Sequence, residues 1–110
     1  MTSDHTYFAD LMGEMGEIPA DSIVSRTLYS DDELKVILFG FAPGQELSEH
    51  TASMPAVIHI LDGKARLTLG GDARPAVPGT WARMPAGMRH SIHAETRLVM
   101  LLLLLKAGEG

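Results

Sequence analysis

The regular placement of turn residues is the feature that most constrains the fold of this chain. Clusters of Gly, Pro and Asp, such as Asp62-Gly63, Gly70-Gly71-Asp72 and Pro78-Gly79, recur at roughly 8–12-residue intervals. The runs between them are rich in aliphatic and β-branched residues, and the longest apolar run, from Leu98 to Leu105, has eight residues. Long helices do not fit between turns this close together. The sequence therefore predicts an all-β domain, an antiparallel sandwich or barrel of eight or more short strands.

Two of the predicted strands are apolar on both faces. The run from Ala56 to Leu61 is apolar except for His59, and the run from Leu98 to Leu105 is apolar throughout. A strand in the wall of a barrel normally exposes one face to water. We therefore expect the outer faces of these strands to be covered by the N-terminal segment or by a second subunit, and we expect a homodimer.

The chain divides into an N-terminal segment, residues 1–20, and a barrel domain, residues 21–110. Apolar residues in the first segment have a spacing that fits one short amphipathic helix or a helical turn, although its glycines weaken the pattern and Pro19 ends it. These apolar residues are Phe8, Leu11, Met12, Met15 and Ile18.

Composition excludes several classes of protein. The sequence has no cysteine, which excludes disulfides, thiolate metal sites and cysteine nucleophiles. We therefore expect His, Asp or Glu to hold any metal, and we interpret the methionines as apolar filler. The net charge is −5, and no basic stripe with interleaved aromatic residues is present. With no run long enough to cross a bilayer and no signal-peptide pattern, we expect a soluble cytoplasmic protein that binds neither nucleic acid nor membrane.

The stretch from Gly79 to His93 combines two turns with a histidine. Pro78-Gly79 opens it, a short extended run follows, and Pro85-Ala86-Gly87 forms a second turn three residues before His90. A histidine just beyond such a corner lies at the mouth of whatever the strands enclose. A metal ligand or an acid–base group would be useful at that position.

This stretch resembles the second sequence motif of the cupin family of small β-barrels. The motif is a Gly, five residues, Pro-x-Gly, two residues, a His, three residues and usually an Asn. Gly79, Pro85, Gly87 and His90 match it, and Ala94 stands in place of the Asn. The resemblance implies a single-domain jelly-roll barrel, also called a double-stranded β-helix.

The first cupin motif is matched at its glycines and first histidine, but not at its other metal-ligand positions. Gly44, His50 and Gly63 occupy its first glycine, first histidine and closing glycine, whereas Ala52 and Ala56 stand where a second histidine and a glutamate are expected. Many cupins hold Fe, Mn, Ni or Zn with three His and one Glu. The resemblance therefore implies a divalent metal ion held by His50 and His90 together with a third ligand.

His59 is the obvious candidate for that third ligand, because it is the lone polar residue of an apolar run. Regular alternation turns residue 59 away from the face of residue 56, whereas a β-bulge between residues 52 and 59, for instance at Met54-Pro55, would turn it inward. Both arrangements remain open. The candidate metal ligands are His50, His59 and His90.

Two further side chains could approach this site. Glu46 has the same parity as His50 if its strand is regular, so its carboxylate could reach the metal. His93 is three residues from His90 and is expected on the opposite face.

Three functions are compatible with this sequence. The first is an enzyme-like barrel, such as a dioxygenase or isomerase, that uses a divalent metal to act on a small polar or anionic molecule. The second is a metal-free barrel that binds or senses a small molecule without catalysis, and the third is a purely structural dimer module. The sequence assigns no catalytic residue and does not decide whether the chain is an enzyme, because fold alone does not specify function.

Overall fold

The computed structural model describes residues 4–106, which form nine β-strands in two antiparallel sheets. Residues 1–3 of the predicted N-terminal segment and residues 107–110 of the predicted barrel lie outside the described residues. The all-β prediction is confirmed. The strands are β1 (Ile23–Ser30), β2 (Leu34–Phe41), β3 (Glu46–His50), β4 (Ala56–Asp62), β5 (Ala65–Leu69), β6 (Asp72–Ala76), β7 (Trp81–Met84), β8 (His90–Ala94) and β9 (Leu98–Leu105).

The two sheets have the topology of a jelly roll. The large sheet has the order β1-β2-β9-β4-β7, and the small sheet has the order β3-β8-β5-β6. Most successive connections cross from one sheet to the other, which wraps the chain into a barrel. Apolar side chains from both sheets fill the interior, and we refer to them as the inner cluster. Its largest fully buried members include Phe41, Ile58, Ile60, Leu67, Met84, Ile92, Leu98 and Met100.

The N-terminal segment covers part of the outer face of the large sheet. It contains one turn of 3-10 helix, Met12–Glu14, followed by the buried side chain of Met15. Met15 belongs to a second apolar cluster, which includes Leu38 and Leu101 on the outer face of the sheet. Arg26 fixes the segment by donating a hydrogen bond of 2.8 Å from Nη1 to the carbonyl oxygen of Glu14. No helix within residues 4–106 is long and apolar enough to span a bilayer.

Gly40 permits this close packing. A Cβ atom at residue 40 would lie 2.5 Å from Cδ1 of Ile18 and 2.8 Å from the sulfur of Met15. A glycine in the middle of β2 normally weakens a strand, since it offers no side chain for packing. Here the empty space on the strand is filled by the N-terminal segment.

Candidate functional site

A β-bulge in β3 turns both Leu47 and His50 toward the barrel interior. Leu47 pairs with Ile92 and His50 pairs with His90, and the register shifts by one residue between these pairs. Residues three apart in a regular strand point to opposite faces, but the extra residue of a bulge places them on the same face. The first candidate ligand therefore owes its orientation to the irregularity of its strand.

The same bulge separates Glu46 from His50. Glu46 pairs with His93 in register, and its Oε1 atom lies 3.3 Å from Nδ1 of His93. Both side chains are substantially exposed. The bulge breaks the parity that a regular strand would give Glu46 and His50, so Glu46 stays solvated at the end of its strand.

His90 begins β8 on the inner face of the small sheet. Its side chain has the parity of Ile92 and Ala94, which are both buried, and is itself only 7% exposed. The preceding corner depends on Gly87, which has a φ of 84° and donates a backbone hydrogen bond of 2.8 Å to the carbonyl oxygen of Ala52. Glycine adopts this left-handed conformation without steric strain. The corner therefore brings His90 beside the strand that carries His50.

His50 and His90 form a contacting pair of imidazoles. Their ring centroids are 4.1 Å apart, and the ring planes are inclined by 61°. Nδ1 of His50 lies 2.8 Å from the carbonyl oxygen of Ser48, and Nδ1 of His90 lies 3.2 Å from that of Met88. A carbonyl oxygen only accepts, so each Nδ1 carries the hydrogen. In the neutral ring, each Nε2 is then left as a bare acceptor.

The bare nitrogen of His90 is accessible from the barrel mouth. Within residues 4–106, no side-chain nitrogen or oxygen is both fully buried and without a hydrogen-bond partner. Nε2 of His90 has no such partner in this part of the chain, so it must retain contact with solvent. Several half-buried apolar residues pack against the inner cluster. They include Phe39, Leu47, Leu69, Met88, Leu102 and Leu104.

The environment of His90 favours its neutral form. Burial lowers the pKa of His90 below its ordinary value, the hydrogen bond to the carbonyl of Met88 raises it, and the nearby His50 lowers it again. Burial is the dominant cause, so the net direction is downward. His90 is therefore an acceptor at Nε2 at neutral pH.

His59 lies on the other face of β4. The register of β4 is continuous from Ala56 to His59, with Ala56 opposite Met84 and His59 opposite Trp81. Ala56 belongs to the inner cluster, so regular alternation turns His59 outward. On β9 its register partner is Leu101, a member of the outer apolar cluster. The structure thus brings His50 and His90 together and does not bring His59 to them.

The residues at this site do not fit the divalent metal implied by the sequence resemblance. Within residues 4–106, no group of three or more His, Cys, Asp or Glu side chains is placed to hold a metal ion. Divalent Zn sites normally use at least three protein ligands, and Fe and Mn sites also draw on carboxylates. His50 and His90 alone do not provide this set.

A separate groove of about 420 Å³ lies on the outer face of the large sheet, beneath the N-terminal segment. Sequence reasoning missed it because its lining comes from distant parts of the chain, including Phe8, Tyr29 and Leu103. One of its carboxylates, Asp31, already accepts hydrogen bonds from the backbone nitrogens of Glu33 and Leu34 and from the Tyr29 hydroxyl. These hydrogen bonds stabilise the turn between β1 and β2 and occupy the carboxylate. The histidine pair therefore remains the better candidate site.

Comparisons with known proteins agree with this fold. The family described as a cupin domain matches residues 37–105. A Streptococcus pyogenes protein of unknown function is 31% identical, and its crystal structure matches with a TM-score of 0.82 over 96% of this chain and 91% of that chain. A cupin superfamily protein from Desulfitobacterium hafniense is 27% identical, with a TM-score of 0.81 over 87% of this chain and 88% of that chain. A cupin 2 conserved barrel domain protein from Leptotrichia buccalis is 32% identical, with a TM-score of 0.77 over 86% of this chain and 46% of that chain. No curated protein matches the sequence.

Proposed function

This chain belongs to the cupin family, and we propose that its barrel binds a small, largely apolar molecule carrying a hydroxyl group, without converting it. The observation that supports this proposal is the pair of imidazoles at the barrel mouth, each with Nδ1 on a backbone carbonyl and Nε2 free. Pockets for small molecules are typically apolar with a few well-placed polar groups. In this proposal, His50 and His90 are the polar groups of such a pocket.

The Nδ1 contacts with backbone carbonyls select the chemistry of the ligand. A bare Nε2 accepts a hydrogen bond, so an alcohol or phenol that donates one is complementary to it. A carboxylate would require a protonated imidazole, which the lowered pKa of His90 opposes. Leu69 pairs in register with His90, and Leu47, Leu69 and Met88 all pack against the inner cluster, so these side chains suit an apolar body on the ligand. The proposed ligand is therefore an apolar molecule with a hydroxyl group, and it replaces the small polar or anionic molecule expected from the sequence.

A matched pair of probes tests this proposal. We would titrate methyl-labelled protein with 4-methylphenol and with 4-methylanisole, which has no hydroxyl hydrogen, in the presence of a metal chelator. We expect 4-methylphenol alone to shift the methyl resonances of Leu47, Leu69 and Met88. The variants His50→Ala and His90→Ala should weaken this binding, and His59→Ala is the control. Equal binding of both probes, or shifts confined to the outer groove, would reject the proposal.

A metal-dependent enzyme is the second candidate function. The observation that favours it is that backbone carbonyls hold both Nδ1 atoms, as is usual for histidines that bind metal through Nε2. The bound substrate would then have to complete the ligand set of an Fe, Mn, Ni or Zn ion. Metal analysis of protein purified without chelator or histidine tag tests this candidate. Stoichiometric metal that is lost in His50→Ala supports it, whereas metal-free protein whose melting curve ignores added divalent ions rejects it.

We further propose that the chain forms a homodimer. Trp81 and Val77 are 59% and 46% exposed, which is unusual for large apolar side chains, and β1 is an edge strand of the large sheet. Light scattering after size-exclusion chromatography measures the mass directly. A monomer at high protein concentration would contradict this proposal, whereas a dimer that Trp81→Arg dissociates would support it.

A further inference from the structure

We propose that the outer groove, on the outer face of the large sheet, binds a small organic cation, an alkyl or aryl-alkyl ammonium ion whose apolar body lies along the sheet. This site is separate from the histidine pair and does not depend on the ligand proposed there. The groove has a volume of about 420 Å³, which lies within the range of pockets that enclose small molecules. Its lining divides into an apolar part and an acidic end.

Three neighbouring strands form the floor of the outer groove. Tyr29 on β1 pairs with Val36 on β2, and Val36 pairs with Leu103 on β9, so these side chains form one row across the sheet. Adjacent strands lie about 4.8 Å apart, so the row spans roughly 10 Å. All three residues line the groove and are only half-buried. Covering this apolar surface with the hydrocarbon part of a ligand is favourable.

The N-terminal segment contributes further apolar and aromatic side chains. Phe8 and Leu11 line the groove and are also half-buried. Together with Tyr29, Phe8 gives the groove two aromatic rings. The face of an aromatic ring attracts an organic cation, so these rings suit an ammonium ion as well as its hydrocarbon body.

The turn between β1 and β2 makes one end of the groove acidic. Asp31 and Glu33 line the groove from this turn, and Asp4 lines it from the N-terminal segment, so each charged residue among the described lining residues is acidic. A second hollow of about 360 Å³ adjoins the same turn and is lined by Asp31, Asp32 and Glu33. Lys106 also reaches this turn, where its Nζ donates a hydrogen bond of 2.6 Å to the carbonyl oxygen of Asp31. The four carboxylates therefore outnumber the one ammonium group.

Asp31 keeps its negative charge at neutral pH. The hydrogen bonds from the Tyr29 hydroxyl and from the backbone nitrogens of Glu33 and Leu34 lower the pKa of its carboxyl group. These bonds also hold the carboxylate in place beside the apolar floor. The side chains of Glu33 and Asp4 are exposed, so they are accessible to an incoming cation. An ammonium ion with an apolar body is thus complementary to this groove, whereas a carboxylate is repelled.

Three probes of similar shape and different charge test the proposal. They are 4-phenylbutylammonium, the uncharged methyl 4-phenylbutyl ether and the anion 4-phenylbutyrate, each titrated into the methyl-labelled full chain at neutral pH and low ionic strength. We expect the ammonium probe to shift the methyl resonances of Leu11, Val36 and Leu103. It should bind about fivefold more tightly than the ether, which is the order of effect of one exposed ion pair, and high salt should remove this advantage. The anion should bind more weakly than the ether.

Carboxylate variants provide the matched control. The double variant Asp4→Asn, Glu33→Gln removes two exposed charges from the groove and should weaken binding of the ammonium probe by about fivefold or more while leaving the ether unaffected. Glu95→Gln changes an exposed carboxylate that does not line the groove and should leave both affinities unchanged. Equal binding of ammonium and ether, unchanged affinity in the double variant, or shifts confined to Leu47 and Leu69 would overturn the proposal.

The result is separable from the test of the proposed function. Wild-type protein that binds 4-methylphenol at the histidine pair but does not bind the ammonium probe overturns the outer-groove site and leaves the barrel ligand standing. Wild-type protein that binds the ammonium probe with the expected carboxylate dependence but not 4-methylphenol supports the outer-groove site and rejects the hydroxyl ligand.

Discussion

His50 and His90 face each other across β3 and β8 with their ring centroids 4.1 Å apart, and each donates its Nδ1 hydrogen to the carbonyl oxygen of the residue two positions earlier. The same local contact thus fixes both rings, although one ends its strand and the other begins its strand. Because these contacts orient both rings in one tautomer, the pair is organised for an incoming group before that group binds.

Deletion of a single bulge residue tests how the bulge orients His50. Removing Glu49 leaves β3 regular between Leu47 and His50, so the imidazole should remain inward and opposite His90. Removing Ser91 instead changes the parity between His90 and Ile92 and should turn His90 outward. We expect 4-methylphenol binding to survive the first deletion and to disappear in the second. Loss of binding in both folded variants would contradict this description of β3.

The low pKa of His90 predicts that acid destabilises the metal-free protein. The folded state binds a proton at His90 less readily than the unfolded state does, so stability is present above the unfolded pKa and is lost as the pH falls toward the folded pKa. The free energy of unfolding should therefore decrease between about pH 7 and pH 5. Urea unfolding with chelator present measures it.

A replacement variant isolates the contribution of His90 to this pH dependence of the free energy of unfolding. His90→Leu should flatten the pH dependence over this range, while His59→Ala should leave it unchanged. The same slope in wild type and His90→Leu would show that another group causes the effect.

Restoring the two absent family ligands should create a divalent site. Ala52 and Ala56 stand at the family positions for His and Glu, and Ala56 is 2% exposed on the inner cluster. Ala56→Glu alone should lower the melting temperature, because it buries an unpaired carboxylate. In the double variant with Ala52→His, added Zn(II) or Mn(II) should raise the melting temperature, whereas wild type should not respond. An equal rise in the melting temperature of the wild type would mean that the native residues already bind a divalent ion.

Gly40→Ala should loosen the N-terminal segment while leaving the barrel intact. The added methyl group meets Ile18 and Met15 at contact distances that force both side chains to shift, and such overpacking costs about 1–3 kcal/mol. Gly71→Ala is the matched control, because a Cβ atom there meets no atom within 4 Å. Urea unfolding compares the two variants. Equal stabilities would show that the segment does not pack on β2 as described.

The fold followed from the sequence because turn chemistry and alternation are local. The Asp62-Gly63 turn, the alternating run from Lys64 to Leu69 and the two-faced apolar strand from Leu98 to Leu105 each define an element without knowledge of its neighbours. The jelly-roll arrangement of these strands and the inward position of His90 were implied by the resemblance to the second cupin motif. The direction of His59 stayed open from the sequence, because it depended on whether a bulge precedes it; the register of β4 is regular from Ala56 to His59.

The site was only half predictable, because its decisive features depend on strand pairing. The bulge lies between Leu47 and His50, where no Gly or Pro marks it, so the face of Glu46 relative to His50 could be stated only for a regular strand. The tautomers depend on contacts with backbone carbonyls that no sequence pattern reveals.

Imidazole ¹⁵N NMR of the wild type at neutral pH, with 4-methylphenol added in the presence of chelator, tests most directly whether His50 and His90 bind the ligand through Nε2. We predict that His50 and His90 are both protonated at Nδ1 and bare at Nε2. Their Nε2 resonances alone should move as 4-methylphenol is added, with those of His59 and His93 constant. A bare Nδ1 in either ring, or Nε2 resonances that do not respond to 4-methylphenol, would contradict it.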